Sequence, residues 1–184
     1  MSSSYTHISS DKSLRHIKKR PEYLKQILYS KPNGFWYEVD GDWRRWCSSE
    51  QPNWLADHFL YKIIFGKEKI LKINSEADLE LFNKEYQYKD PSRLASLYSC
   101  NTYIDWPRIC QEYDGIEIAP YFWKFRLEQE YFWYYSWDCA SGCIWRPRGA
   151  RIELLEGPII LPKCNKCSAP VASYEETDIC WRCR

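Results

Sequence analysis

The sequence predicts an α+β fold built from short strands and short helices, followed by a small cysteine-rich module. Runs of β-branched and aromatic residues are short, and turn signals such as Lys31-Pro32-Asn33-Gly34 separate them. Helix-start signals stand between several of these runs. Two closely spaced cysteine pairs lie near the C-terminal end. A length of 184 residues fits one globular domain with a small appendage.

Each expected strand is an apolar, aromatic or β-branched run that ends near a glycine, proline or aspartate turn. The expected strands are 6–9, 35–39, 59–65, 70–73, 116–118 and the end of 138–146. Between the two last runs lies an aromatic block, 121–137, which is expected to pack in the core. Residues 150–162, which contain Gly157, Pro158 and Pro162, are expected to be a connector.

Each expected helix begins with a recognisable residue. Pro21 and Pro107 suit a first helical turn, because the N–H that proline lacks has no helical partner there. Ser75 followed by Asp78 is typical of a capping box, and Asp42 is placed to act as an N-cap. The expected helices are 21–29, 43–49, the segment from Ser75 through Phe82, and the segment after Asp105.

Composition restricts the class of protein. Aromatic residues make up 17% of the chain, a load typical of a folded protein with a large core. No apolar run approaches the ~18 residues that span a bilayer, and the polar N-terminus shows no secretory signal, so we expect a cytoplasmic protein with no membrane partner. Lys and Arg number 26 against 25 Asp and Glu, which argues against a protein that coats nucleic acid by bulk charge.

The cysteine spacing predicts a metal site. Cys164 and Cys167 form one C-x2-C pair, Cys180 and Cys183 form a second, and twelve residues separate the pairs. In a reducing compartment, four thiolates at this spacing are typical of a closed structural zinc site in a ribbon or knuckle. Zn²⁺ is therefore expected as a structural cofactor with no catalytic role, on which folding of this segment depends.

The other five cysteines are scattered, and we interpret them as small buried hydrophobic residues. They are Cys47, Cys100, Cys110, Cys139 and Cys143. The last two are close enough in sequence to pair or to bind a metal, which is the alternative. With the metal module set apart, the predicted domains are residues 1–150 and residues 151–184.

Glu117 and His7 are candidates for chemistry. Glu117 lies between Ile116 and Ile118, so it is either solvated at a sheet edge or held in a cleft for a purpose. His7 is followed two positions later by Ser9 on a short expected strand, a pattern that is more often structural.

Trp36 on its strand and Trp46 on the following helix could lie close together across the turn that joins them. Two facing rings make a slot for a flat heteroaromatic ring, such as nicotinamide or a base. Ordinary core packing is the alternative, and it is preferred when the two tryptophans are considered alone.

Taken together, these segments resemble the H-Y-E arrangement of ADP-ribosyltransferases related to the poly-ADP-ribose polymerases and diphtheria toxin. In that family a His-Gly-Ser/Thr motif is followed by a Gly-x-Tyr-Phe strand, a helix that ends in a second tyrosine, and a late strand with the catalytic glutamate. Here residues 7–9, the unit 34–47 and Glu117 occur in that order. The family's glycine and two tyrosines are replaced by Ile8, Trp36 and Trp46. The blocks YDGIEIAPY and WDCASGCIW are also similar to small phage-, plasmid- and large-virus-encoded members, some of which act as toxins.

The resemblance implies an NAD-dependent mono-ADP-ribosyltransferase on a split antiparallel β-sheet of the ADP-ribosyltransferase type. Its acceptor would be a protein or a nucleic acid, and an antitoxin or inhibitor would be a further partner if it is a toxin or a virus–host conflict effector. Glu117 and His7 would be catalytic, both bonding the ribose next to nicotinamide, with Glu117 stabilising the oxocarbenium-like transition state. The implied NAD-binding residues are His7, Ile8, Ser9, Trp36, Tyr37 and Trp46.

A non-catalytic zinc-ribbon module that binds nucleic acid or protein is the main alternative. Basic residues stand beside tryptophan at 43–46, 144–148 and 180–184, where they could contact phosphates while the rings stack on bases. Solvated or packed surface is an equally good interpretation of these clusters. An RNA 2′-phosphotransferase is less favoured, because that family uses arginines where this chain has Glu117.

Overall fold

The computed structural model describes residues 3–89 and 102–168, together with Val171 and Cys183. These residues form the expected α+β fold. Its strands are β1 (Tyr5–Ser9), β2 (Leu28–Tyr29), β3 (Phe35–Val39), β4 (Phe59–Ile64), β5 (Ile70–Ile73), β6 (Gln87–Lys89), β7 (Thr102–Asp105), β8 (Gly115–Ile118), β9 (Ser141–Ile144) and β10 (Arg151–Glu156).

Seven strands form one mixed sheet in the order β10-β4-β1-β3-β9-β8-β5, and three form a small sheet in the order β2-β7-β6. The pairing of β5 with β8 is parallel. The β1–β3, β1–β4, β4–β10 and β8–β9 pairings are antiparallel. The expectation of an antiparallel sheet is therefore corrected to a mixed one. The physical reason is that a long connection separates β5 from β8, which permits a parallel crossover.

The α-helices are α1 (Pro21–Leu24), α2 (Asp42–Glu50), α3 (Glu76–Tyr86) and α4 (Trp106–Glu112). Short 3-10 helices span Pro52–Trp54, Trp123–Phe125 and Gln129–Ser136. The predicted cap at Ser75 is confirmed, because its hydroxyl accepts from the Asp78 N–H at 3.1 Å. At the expected helix start after Asp105, the Asp105 carboxylate accepts from the Arg108 N–H at 3.1 Å.

Three local expectations are wrong. The helix expected over 21–29 ends at Leu24, and Leu28–Tyr29 instead pairs with β7. Asp42 is the first residue of α2, and Gly41, at φ 74°, holds the N-cap position. The expected connector 150–162 begins with strand β10, because Arg151–Glu156 finds a pairing partner in β4.

The chain divides into two compact units. Unit 1 comprises Met1–His16, Tyr37–Ile64 and Arg151–Arg184, and unit 2 comprises Ile17–Trp36 and Phe65–Ala150. The predicted division at residue 150 thus coincides with one boundary between these units, but residues 151–184 belong to the same unit as β1 and β4. The division into a catalytic domain and a metal module stays a prediction.

In unit 1 a buried carboxylate joins the sheet to the start of α2. Glu38, which is 3% exposed, accepts a hydrogen bond from the Thr6 hydroxyl of the neighbouring strand. It also accepts from the backbone N–H of Arg44 at 2.9 Å and from its Nε at 2.8 Å. The arginine neutralises the buried charge, so this glutamate has a structural role.

The core of unit 2 is aromatic, and most rings of the block 121–137 are buried as expected, whereas Trp123, Phe132 and Tyr135 of that block are exposed. Two of its buried indoles have partners, because Trp133 Nε1 donates to the Asn83 side chain at 2.7 Å and Trp145 Nε1 donates to the Tyr113 carbonyl at 2.8 Å. Its fully buried tryptophans are Trp106, Trp133, Trp137 and Trp145.

Among the residues that the structure describes, no helix combines the length and the apolarity needed to cross a bilayer. The described members of the five scattered cysteines, Cys47, Cys110, Cys139 and Cys143, are buried, as predicted. Cys100 and Cys180 lie outside the described residues.

Candidate functional site

Glu117 lies in β8, whose four residues are all buried. Its side chain is 4% exposed, and its Oε1 lies 3.2 Å from Lys72 Nζ. In the sheet, Lys72 of β5 and Gly142 of β9 stand directly opposite Glu117 on its two sides. Because directly opposite residues share a face, the glycine adds no side chain next to the carboxylate on that flank. The structure therefore holds Glu117 inside the protein, against a lysine and beside a gap in the row of side chains.

The residue that orients this strand is Asp114, just before β8. It is 3% exposed, and its carboxylate accepts from the Lys69 N–H at 3.0 Å, from Arg146 at 3.1 Å and from Arg148 at 2.8 Å. Burial disfavours the charged form, but the bonds from Lys69, Arg148 and Arg146 outweigh it and lower the pKa of Asp114. This ionised clamp fixes the start of β8, three residues before Glu117.

His7 and Ser9 lie on β1, as predicted, and both are half-buried. His7 stands opposite Tyr61 of β4. Strand alternation places Tyr5, His7 and Ser9 on one face, and the Tyr5 ring packs edge-on against Tyr37 with centroids 5.9 Å apart. The Ser9 hydroxyl accepts from the Asp11 N–H at 3.1 Å. Within unit 1, Tyr37 is thus the predicted aromatic residue that shares the His7 face.

Trp36 and Trp46 each have other aromatic neighbours. The Trp36 ring, half-exposed, packs edge-on against Trp137 with centroids 4.9 Å apart, and Lys31 Nζ lies 5.1 Å from the Trp36 centroid. Trp46 stacks on Trp43, with centroids 4.9 Å apart and an interplanar angle of 12°, and it also contacts Trp54. One face of Trp46 is therefore already covered by a ring of its own helix.

Gly34, which begins the motif that contains Trp36, is dictated by packing. A Cβ at this position would overlap the Cys143 Sγ and lie 2.8 Å from the Ile144 carbonyl oxygen. Cys143 is fully buried, and burial raises the pKa of its thiol, which opposes nucleophilic reactivity. This glycine is therefore explained by the close approach of β9.

The C-terminal cysteines that the structure describes form a cluster. The sulfur atoms of Cys164, Cys167 and Cys183 all lie within 4.8 Å of one another. The Lys166 N–H donates to Cys164 Sγ at 3.4 Å, a bond that favours a thiolate. Lys166 Nζ also donates to the Cys183 carbonyl at 3.0 Å, which ties the two ends of the segment together. This arrangement could hold a metal ion.

Sequence reasoning did not identify Lys72, Lys31 or Trp137 as residues of interest. Lys72 had a signal that could have been used, since Ile70–Ile73 and Gly115–Ile118 are both apolar strands with one charged residue. Lys31 and Trp137 carried no such signal, because their meeting at Trp36 depends on contacts distant in sequence.

The structure thus brings together three of the four predicted metal ligands and places Tyr37 on the His7 face, while Trp36 and Trp46 lie among other rings. Glu117 gains a lysine neighbour. Comparisons with protein-family models, with curated proteins and with solved structures find no match for this chain. Its function is therefore inferred from the chemistry of these residues.

Proposed function

We propose that this chain is an NAD-dependent mono-ADP-ribosyltransferase that modifies a macromolecular acceptor, protein or nucleic acid. The observation that carries the proposal is the buried carboxylate of Glu117, held by Lys72 and flanked by Gly142. A carboxylate that is fixed in advance in a water-poor site stabilises a developing positive charge more strongly than one in water. An oxocarbenium-like ribose is such a charge.

In the proposed reaction, the bond between ribose C1′ and the nicotinamide nitrogen breaks, and its electron pair neutralises the pyridinium ring as nicotinamide leaves. A nucleophilic atom of the acceptor then bonds to C1′ and releases its proton to solvent. Glu117 accepts a hydrogen bond from the 2′-hydroxyl of that ribose and stabilises the positive charge in the transition state. Lys72 is a positioning residue that holds the carboxylate.

The remaining roles follow the family resemblance. His7 would bond the same ribose, Ser9 would bond nearby, and the backbone of Ile8 would hold the carboxamide of nicotinamide. Trp36 and Trp46 are the residues proposed to sandwich the nicotinamide ring, and Tyr37 is proposed as a further NAD-binding residue. Transfer of a single ADP-ribose is proposed, because nothing in the sequence indicates a site for a growing chain.

The experiment is to incubate the protein with labelled NAD and cell extract and to follow nicotinamide release and label transfer. Glu117→Gln removes the charge but keeps the shape, and it should lower the rate at least about a hundredfold. Glu38→Gln is the matched control, since Glu38 is also a strand glutamate with 3% exposure but serves Thr6 and Arg44. Equal rates for wild type and Glu117→Gln would rule out the role of Glu117.

We further propose that Cys164, Cys167, Cys180 and Cys183 bind structural Zn²⁺. Three of their sulfur atoms already lie within 4.8 Å of one another, and thiolates are the ligands that structural zinc sites use. Cys164→Ser should lower the zinc content measured by mass spectrometry and destabilise the C-terminal segment. Cys110→Ser, at a buried cysteine of unit 2, is the control and should retain zinc. Unchanged zinc in Cys164→Ser would contradict the site.

A non-catalytic nucleic-acid-binding module is the second candidate. It is favoured by the Trp43, Trp46 and Trp54 cluster, in which Trp54 is 53% exposed. Arg45 stands between Trp43 and Trp46 in the sequence of α2 and pairs with Asp42. Exposed rings next to a cation can stack on unpaired bases. No NAD consumption with any extract, combined with single-stranded RNA binding that Trp54→Ala weakens, would favour this candidate over the transferase.

A further inference from the structure

Unit 2 contains two buried polar side-chain atoms for which the residues that the structure describes offer no hydrogen-bond partner. Trp137 is 0% exposed, and its indole Nε1 is shielded from solvent without a hydrogen-bond partner among the described residues. The Tyr121 hydroxyl, on a residue that is 8% exposed, also lacks a bond of good geometry, with Arg126 as its charged neighbour. Unmatched buried donors are rare in native proteins because burying them is costly. A bound group would supply the missing acceptor.

Lys31 and Trp137 both lie against the Trp36 ring, and we call these three residues the Lys31 corner. Its Nζ lies 5.1 Å from the Trp36 centroid, and the Trp137 ring lies 4.9 Å from that centroid. None of the ion pairs found among the described residues includes Lys31. Burial lowers the pKa of Lys31, while Asp138 and the thiols of Cys139 and Cys143 oppose that change.

Charge at this corner is incompletely balanced. Asp138 is the nearby carboxylate, and its Oδ1 lies 3.3 Å from Arg126 Nη2. Arg126 in turn lies over the rings of Trp123 and Tyr135. Asp138 therefore pairs with Arg126, and the ammonium of Lys31 contacts the Trp36 ring without an ion pair to a described carboxylate.

We propose that this corner binds a phosphate group, with Lys31 as the cation and the Trp137 N–H as a directed donor. Phosphate matches the site better than a carboxylate does, because it offers more acceptor oxygens to an ammonium and an indole N–H at once. The inference does not depend on NAD chemistry. It concerns binding of a phosphate, whether free or carried by a nucleotide.

The test is a titration with inorganic phosphate, and separately with ADP, followed by the indole N–H resonances of ¹⁵N-labelled protein. The indole N–H resonance that is present in wild type and missing from Trp137→Phe is the resonance of Trp137. In wild type that resonance should shift saturably. Lys31→Met, which keeps the aliphatic stem, should weaken phosphate binding at least about tenfold, whereas Lys31→Arg should retain most of it. Tighter binding of ADP than of phosphate would place the phosphate in a nucleotide.

The control is Lys124→Met, since Lys124 lies in the same unit but is exposed and paired with Glu76 at 3.1 Å. It should bind phosphate as wild type does. The dispersion of the same spectra shows whether each variant is folded. A Trp137 resonance that does not respond to phosphate, or that shifts equally in wild type and Lys31→Met, would overturn the proposal. The proposal would also be overturned if the Trp137 indole N–H resonance were shifted strongly upfield and did not respond to phosphate. Such a shift would show that the N–H points at the Trp36 ring.

Discussion

Breaking the ion pair between Lys72 and Glu117 should lower the free energy of unfolding by more than breaking an exposed ion pair does. At 3.2 Å and an effective dielectric constant of about 20, the Coulomb attraction is about 5 kcal/mol. The Glu117 side chain is 4% exposed, but that of Lys72 is 47% exposed, so water recovers part of this energy. We expect a coupling free energy of about 1–3 kcal/mol between the two residues.

The assay is a double-mutant cycle of Lys72→Met, Glu117→Gln and the double variant, each unfolded in urea and followed by circular dichroism. The matched control is the pair Lys124–Glu76, whose atoms lie 3.1 Å apart but whose side chains are 55% and 53% exposed. Its coupling should stay below about 1 kcal/mol. If the Lys72–Glu117 coupling is no larger than that of the exposed pair, burial of Glu117 does not strengthen the interaction and our account of the site is refuted.

Two further predictions concern packing and pH. Gly34→Ala should destabilise the protein by about 1–3 kcal/mol in urea unfolding, because its Cβ would overlap Cys143 Sγ and approach the Ile144 carbonyl to 2.8 Å; an unchanged midpoint would contradict this. The pKa of Asp114 is lower in the folded protein than the ordinary aspartate value of about 3.9. The ionised Asp114 therefore stabilises the fold above that ordinary value, and this stabilisation is lost as the pH falls through the folded-state pKa. Asp114→Asn should therefore be less stable near neutral pH and lose less stability on acidification, and equal acid sensitivity of both proteins would argue against the clamp.

Local signals predicted individual elements well. The signals for the cap at Ser75, the helix start after Asp105 and the strands at 35–39 and 70–73 lie in side chains within a few residues, so one sequence suffices to find them. Elements that depend on a distant partner were missed. Strand β10 forms because β4 offers it an edge, and the 28–29 strand forms because β7 does.

The same difference between local signals and distant contacts applies to the candidate site. The cysteine spacing indicated a metal site, and the three described sulfur atoms do lie close together. The local geometry of a C-x2-C turn explains why Cys164 and Cys167 meet, whereas Cys183 joins them across the segment. The proposed nicotinamide slot could not be built from spacing alone. Which ring lies against Trp36 or Trp46 depends on packing with Trp137, Trp43 and Trp54.

The sequence by itself determined the α+β class, the aromatic core and the candidate metal ligands, because composition, strand-length runs and close cysteine pairs act over short distances. Only the tertiary structure decided that the large sheet is mixed and that Lys72 stands beside Glu117. It also left Trp137 with an N–H unmatched by the described residues, and it placed Trp137 and Lys31 against the same Trp36 ring. These outcomes depend on strand register and side-chain packing between segments far apart in the chain, which the order of residues constrains only through the whole fold.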